Sequence, residues 1–312
     1  MKILFVDHVS HLKTHSADFF VDILRESFEV ELFYYERTYC FTIPKEKIDK
    51  ADIIIFWEFL YNRRSLGIPG KRCIFVPMYD NEWGSKWQWK RIATSGMPVI
   101  SFCDAITRHA KRHGVKNIID VRYFPNPADL PQTHAKPKRV FLWERGDITH
   151  KAAEAIIPLH DGYVFDVKKA DEFLQRTDYL QRIADCEIVV APRMKEGIGM
   201  AFLEAMAMGK CVVAHDDATM NEYIENGKTG ILHDFRKLGI RISAAEIEAV
   251  RANVKASAQR AYKRWQSDKN AIKPFIEAMA KLPPVKVSPL RDHIRYVLFL
   301  LEGAWHRIAR SL

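Results

Sequence analysis

The first part of the chain alternates short, continuously apolar runs with segments of helical periodicity. The apolar runs are KILFV, FEVELFYY, ADIIIFW, RCIFVPM, PVISF and NIIDVRYF, and the amphipathic SADFFVDILRES stands between the first two. Strands without polar alternation are typical of parallel sheets that helices cover on both faces. The pattern therefore predicts a doubly wound α/β domain.

A second series of the same kind follows a polar interruption. Four prolines interrupt the pattern in FPNPADLPQTHAKPKR, from Phe124 to Arg139, and the runs RVFLW, YVFDV, EIVVA, KCVVAHD and GILHD come after it, separated by helical segments. We therefore expect two Rossmann-like domains that face a cleft, with ligands at the carboxyl ends of the strands. The predicted boundaries are 1–126 and 127–265 for the two domains, 266–282 for a crossover helix, and 283–312 for a linker and a tail helix.

The tail, residues 290–312, carries an apolar stripe with basic residues beside it. The stripe has a spacing of three and four residues and consists of Leu290, Ile294, Val297, Leu301, Trp305, Ile308 and Leu312; the basic residues are Arg291, Arg295, Arg307 and Arg310. Such a helix suits an anionic membrane surface. The alternative is that the stripe packs on the N-terminal domain.

Composition narrows the class of protein without selecting a function. The formal charge is +9 and the pI near 9.2, which favours an anionic partner: nucleic acid, a lipid surface or a phosphorylated small molecule. The five cysteines form no close CxxC pair, so reduced, buried thiols of a cytosolic protein are expected. The first apolar run is too short for a signal peptide, and no run is long enough to span a membrane.

The stretch EGIGMAFLEAMAMG, residues 196–209, combines two carboxylates with a glycine-rich turn and the start of an apolar helix. Gly197 and Gly199 allow the backbone to approach a ligand, and the amides of a helix N-terminus favour a phosphate. Glu196 and Glu204 would repel that phosphate, but carboxylates accept hydrogen bonds from sugar hydroxyls. A nucleotide sugar satisfies all three features.

This block resembles the E-x7-E motif of the retaining GT-B glycosyltransferases of family 4. Glu196, Gly197, Gly199, Glu204 to Ala207, Gly209, Val212 and Val213 stand in register with that motif and its following strand, and Glu222 matches the family's further glutamate. The resemblance implies a GT-B fold, with Ile198, Met200 and His215 also lining the donor pocket. The alternative is a solvated glutamate at 204 and a helix-capping charge at 196.

In FLWERGDITHK, Arg145 and Lys151 match the Arg and Lys with which the family contacts the donor diphosphate. Two cations would neutralise a departing diphosphate without a metal. The resemblance thus implies a metal-independent hexosyltransferase with no cofactor, in which Glu196, Arg145, Lys151 and Asp80 are catalytic.

The first loop departs from the family pattern, because DHVSHLKTHSADFF has no glycine. His8, Lys13 and His15, together with His11, are the candidates to contact the acceptor there instead. Tyr79 stands where the family often has a histidine, and it precedes the retained Asp80. Asp80 is expected either to serve the site or to cap a loop.

The expected function is retaining transfer of a sugar from a nucleotide diphosphate sugar to a glycan or lipid-linked acceptor, in bacterial-type surface polysaccharide or glycolipid synthesis. The expected location is the cytoplasm, peripheral on the inner face of the cell membrane. A non-catalytic nucleotide-sugar-binding subunit and a nucleotide-sugar epimerase are the alternatives. Nucleic acid is not expected as a partner, since no recognised nucleic-acid-binding module is present.

Overall fold

The computed structural model describes residues 1–37, 41–60, 67–81, 86–131, 136–145, 147–156, 162–169, 175–237, 239, 242–286, 294, 297, 298 and 301. The chain divides into two compact units. Unit 1 contains residues Met1–Val121 and Asp268–Leu312, and unit 2 contains Arg122–Ser267.

Unit 1 is built on a parallel sheet of six strands in the order β2-β1-β3-β4-β5-β6. These strands are β1 (Lys2–His8), β2 (Glu29–Tyr35), β3 (Ile53–Glu58), β4 (Arg72–Pro77), β5 (Val99–Ser101) and β6 (Ile118–Asp120). The register pairs Phe5 with Leu32 on one side and with Ile55 on the other. The sequence order reverses between β1 and β3, as in other doubly wound sheets.

Within the described part of unit 1, five helices connect the strands: α1 (Ser10–Thr14), α2 (Asp18–Arg25), α3 (Lys45–Lys50), α4 (Lys86–Ser95) and α5 (Asp104–Arg112). The amphipathic pattern of α2 buries Phe20, Val21 and Leu24. The ring of Phe20 lies 5.3 Å from that of Trp57 and 5.8 Å from that of Phe102. Burial of the Phe20 ring against Trp57 and Phe102 thus fixes the position of α2.

The segment after residue 267 returns to unit 1. It contains the helix that we number α11 (Ile272–Ala280), which buries Ile272 and Ile276. Beyond it, Arg72 Nε donates to the Leu282 carbonyl at 2.7 Å, and the Lys286 amide donates to the Ser95 carbonyl at 2.9 Å. Residues 282–286 are therefore part of the packing of unit 1.

Unit 2 is built on a parallel sheet of five strands in the order β11-β10-β9-β7-β8. These strands are β7 (Arg139–Glu144), β8 (Val164–Lys169), β9 (Ile188–Val190), β10 (Cys211–His215) and β11 (Ile231–His233). The sequence order reverses between β7 and β9. The two central strands, β9 and β10, are buried along their whole length.

The helices of unit 2 are α6 (His150–Ile156), α7 (Arg176–Ala184), α8 (Met200–Ala207), α9 (Met220–Tyr223) and α10 (Ala244–Asp268). Ile247 and Val250 of α10 pack in a core with Val140, Leu142, Val190 and Val213 of the sheet. Each apolar run of the second series forms a strand, β7 to β11, as its pattern predicts.

One of the predicted strands is shorter than its sequence pattern indicates. The run NIIDVRYF forms a strand only over Ile118–Asp120, and the buried residues after it continue as irregular chain into unit 2. Cys73, Cys103, Cys186 and Cys211 are reduced and buried, as expected, whereas Cys40 lies outside the described residues.

Only four positions of the predicted tail helix are described, and all four are helical. Ile294, Val297 and Leu301 are exposed, at 53%, 41% and 60%. The remaining predicted stripe and its arginines lie outside the described residues. Among the described helices, none is long and apolar enough to cross a membrane.

Candidate functional site

The carboxyl ends of three neighbouring strands bring most of the predicted donor residues to one edge of unit 2. Arg145 directly follows β7, the loop with Glu196 follows β9, and His215 ends β10. β9 pairs with both β7 and β10. This edge includes the point between β7 and β9 where the sequence order of the sheet reverses, the usual ligand position in such folds.

Gly199 shapes the turn between the loop and α8. Its φ of +80° lies in the left-handed region, and a Cβ atom at this position would lie 1.9 Å from Cε1 of Phe202. No residue with a side chain fits there without a shift of the aromatic ring. The helix therefore begins at Met200 with its first amides available to a ligand, as the glycine pattern predicts.

Glu196 lies in a loop that is fastened through its backbone. Its side chain is mostly buried, with 7% of the residue exposed. Thr219 Oγ1 donates to the Glu196 carbonyl at 2.8 Å and lies 3.4 Å from the Gly197 carbonyl. Thr219 is fully buried and has a φ of +71°, which is unusual for a β-branched residue. The loop geometry thus depends on a strained residue at the start of α9.

Glu204 is fully buried within α8, and its counter-charge is Arg176 at the start of α7. Burial raises the pKa of Glu204, and the charge of Arg176 and its hydrogen bond oppose that shift. The alternative of a solvated helix residue at 204 is therefore wrong. Because a buried carboxylate is costly, its position next to an arginine indicates a specific role.

Arg145 and Lys151 are both exposed. The guanidinium of Arg145 lies 4.5 Å from the centre of the Trp143 ring, and that ring lies 5.0 Å from Tyr179 of α7. Lys151 is the second residue of α6. The cation–π contact places Arg145 over the end of its own strand.

Asp147 connects the loop after β7 with the loop after β9. The Met194 amide donates to Asp147 Oδ2 at 3.3 Å, and Nε of Arg193 lies 3.9 Å from the same oxygen. The loops that carry Arg145 and Glu196 are therefore joined directly.

The other predicted donor residues surround these loops. His215 is buried, and its Nδ1 accepts from the Phe235 amide at 3.1 Å. Glu222 of α9 forms an ion pair with Arg122 at 2.9 Å, and both side chains are 10% exposed. Of the loop residues, Ile198 is buried and Met200 is partly exposed.

The predicted first-loop residues lie in unit 1 and are described within that unit. Nε2 of His8 lies 3.0 Å from the Glu36 carbonyl, His15 forms an exposed pair with Asp18 at 2.8 Å, and Lys13 is exposed. Tyr79 is buried, and Asp80 is partly exposed and adds to the field that raises the pKa of His11. These residues follow β1 and β4, so they share the carboxyl edge of their sheet.

Sequence reasoning missed two residues at the carboxyl edge of unit 2, Arg176 and Thr219. Arg176 is 28 positions from Glu204, and the helix that carries it has no motif of its own. Thr219 stands in DATMN, which carries no motif, so the role of its hydroxyl in holding the loop has no sequence signal. Within the described ranges, no group of three or more histidine, cysteine, aspartate or glutamate side chains is arranged to hold a metal ion.

Comparisons with known proteins agree with this geometry. Residues 172–245, which contain α7, the Glu196 loop, α8 and α9, match the family model described as glycosyl transferases group 1. The N,N'-diacetylbacillosaminyl-diphospho-undecaprenol alpha-1,3-N-acetylgalactosaminyltransferase of Campylobacter jejuni is 27% identical over 213 residues, which are 67% of this chain and 50% of that protein. The chain thus spans about half the length of this curated relative.

Solved structures extend the likeness to the whole fold. Anabaena HepE, crystallised with UDP and glucose, has a TM-score of 0.57 and 13% identity, with 89% of this chain and 100% of that chain covered. A glycosyltransferase from Rickettsia africae has a TM-score of 0.56 and 12% identity, with 90% and 98% covered.

The expected fold class and the expected resemblance to GT-B glycosyltransferases are confirmed by these findings, whereas the assignment to family 4 and its E-x7-E motif stays a prediction. The chain therefore has the GT-B fold, and its residues 172–245 are similar to the group 1 glycosyl transferases.

Proposed function

We propose that this protein transfers a hexose, with retention of anomeric configuration, from a nucleotide diphosphate sugar to a hydroxyl of a glycan or lipid-linked acceptor. One observation carries the proposal. A glycine turn opens α8 at the carboxyl edge of unit 2, with Glu196 in front of it, the buried Glu204 within it and the cation Arg145 on the adjacent strand end. Phosphate and hydroxyl recognition are combined at this edge.

Each residue has a role that follows from its position. The free amides of α8 and the cations Arg145 and Lys151 would hold the diphosphate and stabilise the negative charge that grows on it as the sugar bond breaks. Glu196 would orient the donor sugar through its hydroxyls. Glu204 would accept a hydrogen bond from the ribose, and Arg176 opposes the rise that burial causes in the pKa of its carboxyl group.

The supply of positive charge supports a metal-independent reaction. Arg145 and Lys151 are two side-chain cations that follow β7, the strand next to β9, and with the amides of the α8 N-terminus they would replace the charge that a divalent ion provides. Turnover that persists in EDTA is therefore expected.

The lipid-linked form of the acceptor is supported by the relative from Campylobacter jejuni, whose name specifies a diphospho-undecaprenol acceptor. The exposed Ile294, Val297 and Leu301 support peripheral binding of the tail to an anionic membrane. Surface polysaccharide or glycolipid synthesis at the inner face of the cell membrane fits both features.

The first experiment measures the thermal shift of the protein with UDP, GDP, ADP, CMP and dTDP. The stabilising nucleotide is then supplied with its sugars, and release of the free nucleotide and the anomeric configuration of the product are followed by NMR. Arg145→Ala and Lys151→Ala should lower turnover more than they lower nucleotide affinity, since their charge acts on the departing diphosphate.

Lys136→Ala is the matched control, because Lys136 is a cation before β7, at the opposite end of the strand, where it pairs with Asp185 at 2.9 Å. It should leave turnover unchanged. An inverted product, or strict dependence on a metal, would contradict the proposed mechanism. Nucleotide binding without turnover on any acceptor would favour the non-catalytic subunit.

A further inference from the structure

A mostly buried ion pair joins the short helix α9 to the chain that enters unit 2. Arg122 is the first residue of unit 2, and Glu222 is the third residue of α9. Their side chains lie 2.9 Å apart and are each 10% exposed. Charges so far from water depend on each other, because removal of one leaves the other poorly compensated. The pair therefore binds α9 to residues 122–124, which we call the entry segment.

The next residue of α9 is held by the same segment. The Tyr223 hydroxyl donates to the Tyr123 carbonyl at 2.9 Å, and the Tyr223 ring lies 6.5 Å from that of Phe124. On another side, the Tyr223 ring lies 5.9 Å from Phe202 of α8. Two consecutive side chains of α9 are thus fixed by the entry segment, one through its charge and one through its hydroxyl and ring.

The other end of α9 carries backbone strain. Thr219, directly before the helix, has a φ of +71° and a ψ of −62°. A β-branched residue keeps such a conformation only where its surroundings impose it. A helix of four residues cannot do so alone. The contacts of the entry segment with α9 therefore help to hold Thr219, whose hydroxyl donates to the Glu196 carbonyl at 2.8 Å.

We propose that Arg122 and Glu222 are positioning residues for the donor sugar. Through α9 and Thr219, their ion pair sets the fraction of molecules in which the Glu196 loop has its binding geometry. Glu222 acts through its pair with Arg122 and not as a contact of the donor. This role rests on the proposed transferase function, in which Glu196 orients the donor sugar.

A positioning role has a signature in binding that a purely structural role lacks. When only a fraction of the molecules has the loop in place, the apparent affinity falls by that fraction. Because Glu196 is assigned to the sugar and Glu204 to the ribose, the affinity for a nucleotide sugar should fall more than that for the nucleotide alone. A general loss of stability would instead reduce the number of molecules that bind and leave the dissociation constants unchanged.

Isothermal titration calorimetry on the full chain tests this signature in Arg122→Met. The probes are UDP, GDP, ADP and dTDP, each alone and as its glucose conjugate, and the pair that the unmodified protein binds most tightly is used for the variants. Binding of the nucleotide sugar should weaken roughly tenfold, the effect of one lost hydrogen bond to a charged group. Binding of the nucleotide should weaken less. Arg122→Lys keeps the charge and should recover most of the affinity.

Arg251→Met is the matched control in the same unit. Arg251 of α10 pairs with Glu187 at 3.1 Å, with side-chain exposures of 31% and 16%, and Glu187 precedes β9 at the opposite edge of the sheet. Loss of this pair should leave both dissociation constants unchanged, whatever it does to the melting temperature. An equal effect of Arg251→Met and Arg122→Met on the nucleotide sugar would overturn the positioning role.

The double variant Arg122→Met with Glu222→Gln separates positioning from direct contact. Residues that act as one pair are not additive, so the double variant should bind the nucleotide sugar no more weakly than either single variant. Losses that add would mean that Glu222 contacts the donor itself, which would overturn the proposal.

Two further results distinguish the possible failures. An unmodified protein that binds a nucleotide sugar, together with an Arg122→Met variant that binds it equally well, would overturn the positioning role alone. An unmodified protein that binds none of the probes would contradict the transferase function, and the positioning role with it.

Discussion

At the scale of the residue, the buried carboxylate of Glu204 pairs with Arg176 from another helix. Arg176 is partly exposed, with 36% of its side chain accessible, while that of Glu204 is 1% accessible. The guanidinium therefore contacts solvent on one side and the buried charge on the other. Removal of the arginine would leave the buried carboxylate without its counter-charge.

Arg176→Met should lower the free energy of unfolding by about 1–3 kcal/mol, because the charge of Glu204 loses its compensation. Burial would then raise the pKa of Glu204 further above its value in the unfolded chain. A raised pKa of an acid favours the folded state at low pH, and that stability is lost as the pH rises through the folded pKa. The variant should therefore be less stable at pH 8 than at pH 5 in urea titrations.

Arg176→Lys is the control for charge, and it should recover part of the stability at pH 8. The double variant Arg176→Met with Glu204→Gln should recover more, since no charge is then buried. Equal stability of Arg176→Met and the unmodified protein at both pH values would show that the pair contributes nothing.

Gly199 gives a second prediction at this scale. Gly199→Ala combines a left-handed φ with a clash against Phe202, whereas Gly162→Ala has nearly the same φ, +81°, and no atom within 4 Å. The left-handed conformation alone costs roughly 1–2 kcal/mol. Gly199→Ala should therefore be more destabilising than Gly162→Ala in denaturant titrations, and it alone should weaken nucleotide binding. Equal costs would mean that Phe202 moves freely.

The motif residues at the carboxyl edge of unit 2 were predictable, because their spacing within one strand-loop-helix segment fixes where they lie. Glu196 and Gly199 are close in sequence, so local geometry places them. Arg176 and Glu204, or His11 and Glu58, come from separate elements. Their pairing depends on sheet order and side-chain direction, and the apolar pattern of a single sequence does not contain either.

At the scale of the element, α9 controls the loop that precedes α8. Thr219 fastens the carbonyls of that loop from the N-terminal end of α9, and Glu222 of the same short helix pairs with Arg122. A helix of four residues has little stability of its own. Its tertiary contacts therefore hold it in place, and the loop with it.

Thr219→Val keeps the shape of the side chain and removes the hydroxyl. It should lower the free energy of unfolding by about 1 kcal/mol, the usual contribution of a hydrogen bond, and raise the KM for the nucleotide sugar as the Glu196 loop loosens. Thr219→Ser keeps the hydroxyl and should retain the KM. Steady-state kinetics of both variants checks this, and an unchanged KM in Thr219→Val would exclude a role for the hydroxyl in the loop.

The sequence predicted whether a segment is a strand or a helix better than it predicted where that element ends. Continuous apolar runs gave the buried strands of both sheets, because strands covered on two faces have no polar alternation. β6 ends at Asp120, although the apolar run continues to Phe124. The end of a strand depends on what its neighbour offers for pairing, and β5 is itself only three residues long.

At the scale of the whole molecule, the C-terminal segment has two parts, one hydrogen-bonded to unit 1 and one with exposed apolar side chains. Residues 282–286 are bonded to unit 1, and the Val285 amide lies 3.3 Å from the Lys71 carbonyl. Beyond them, Ile294, Val297 and Leu301 expose apolar surface. The two parts are therefore separable by truncation.

Deletion of residues 287–312 should keep the melting temperature and nucleotide binding and abolish sedimentation with anionic vesicles, if the tail binds a membrane. Deletion of 283–312 should in addition lower the melting temperature, because it removes the bonded segment. Charge reversal of Arg295, Arg307 and Arg310 should weaken vesicle binding by about 1 kcal/mol for each residue near the surface. A destabilised 287–312 deletion with a full chain indifferent to lipid charge would instead favour packing of the stripe on the protein.

The return of residues 268–286 to unit 1 has a consequence for biosynthesis. The ribosome releases Arg122–Ser267 as one continuous stretch, so unit 2 has all its strands before unit 1 receives α11 and the bonds at Leu282 and Lys286. Domains fold largely as units while the chain is made. Unit 1 begins first and is thus completed last, because α11 and residues 282–286 are translated only after the whole of unit 2.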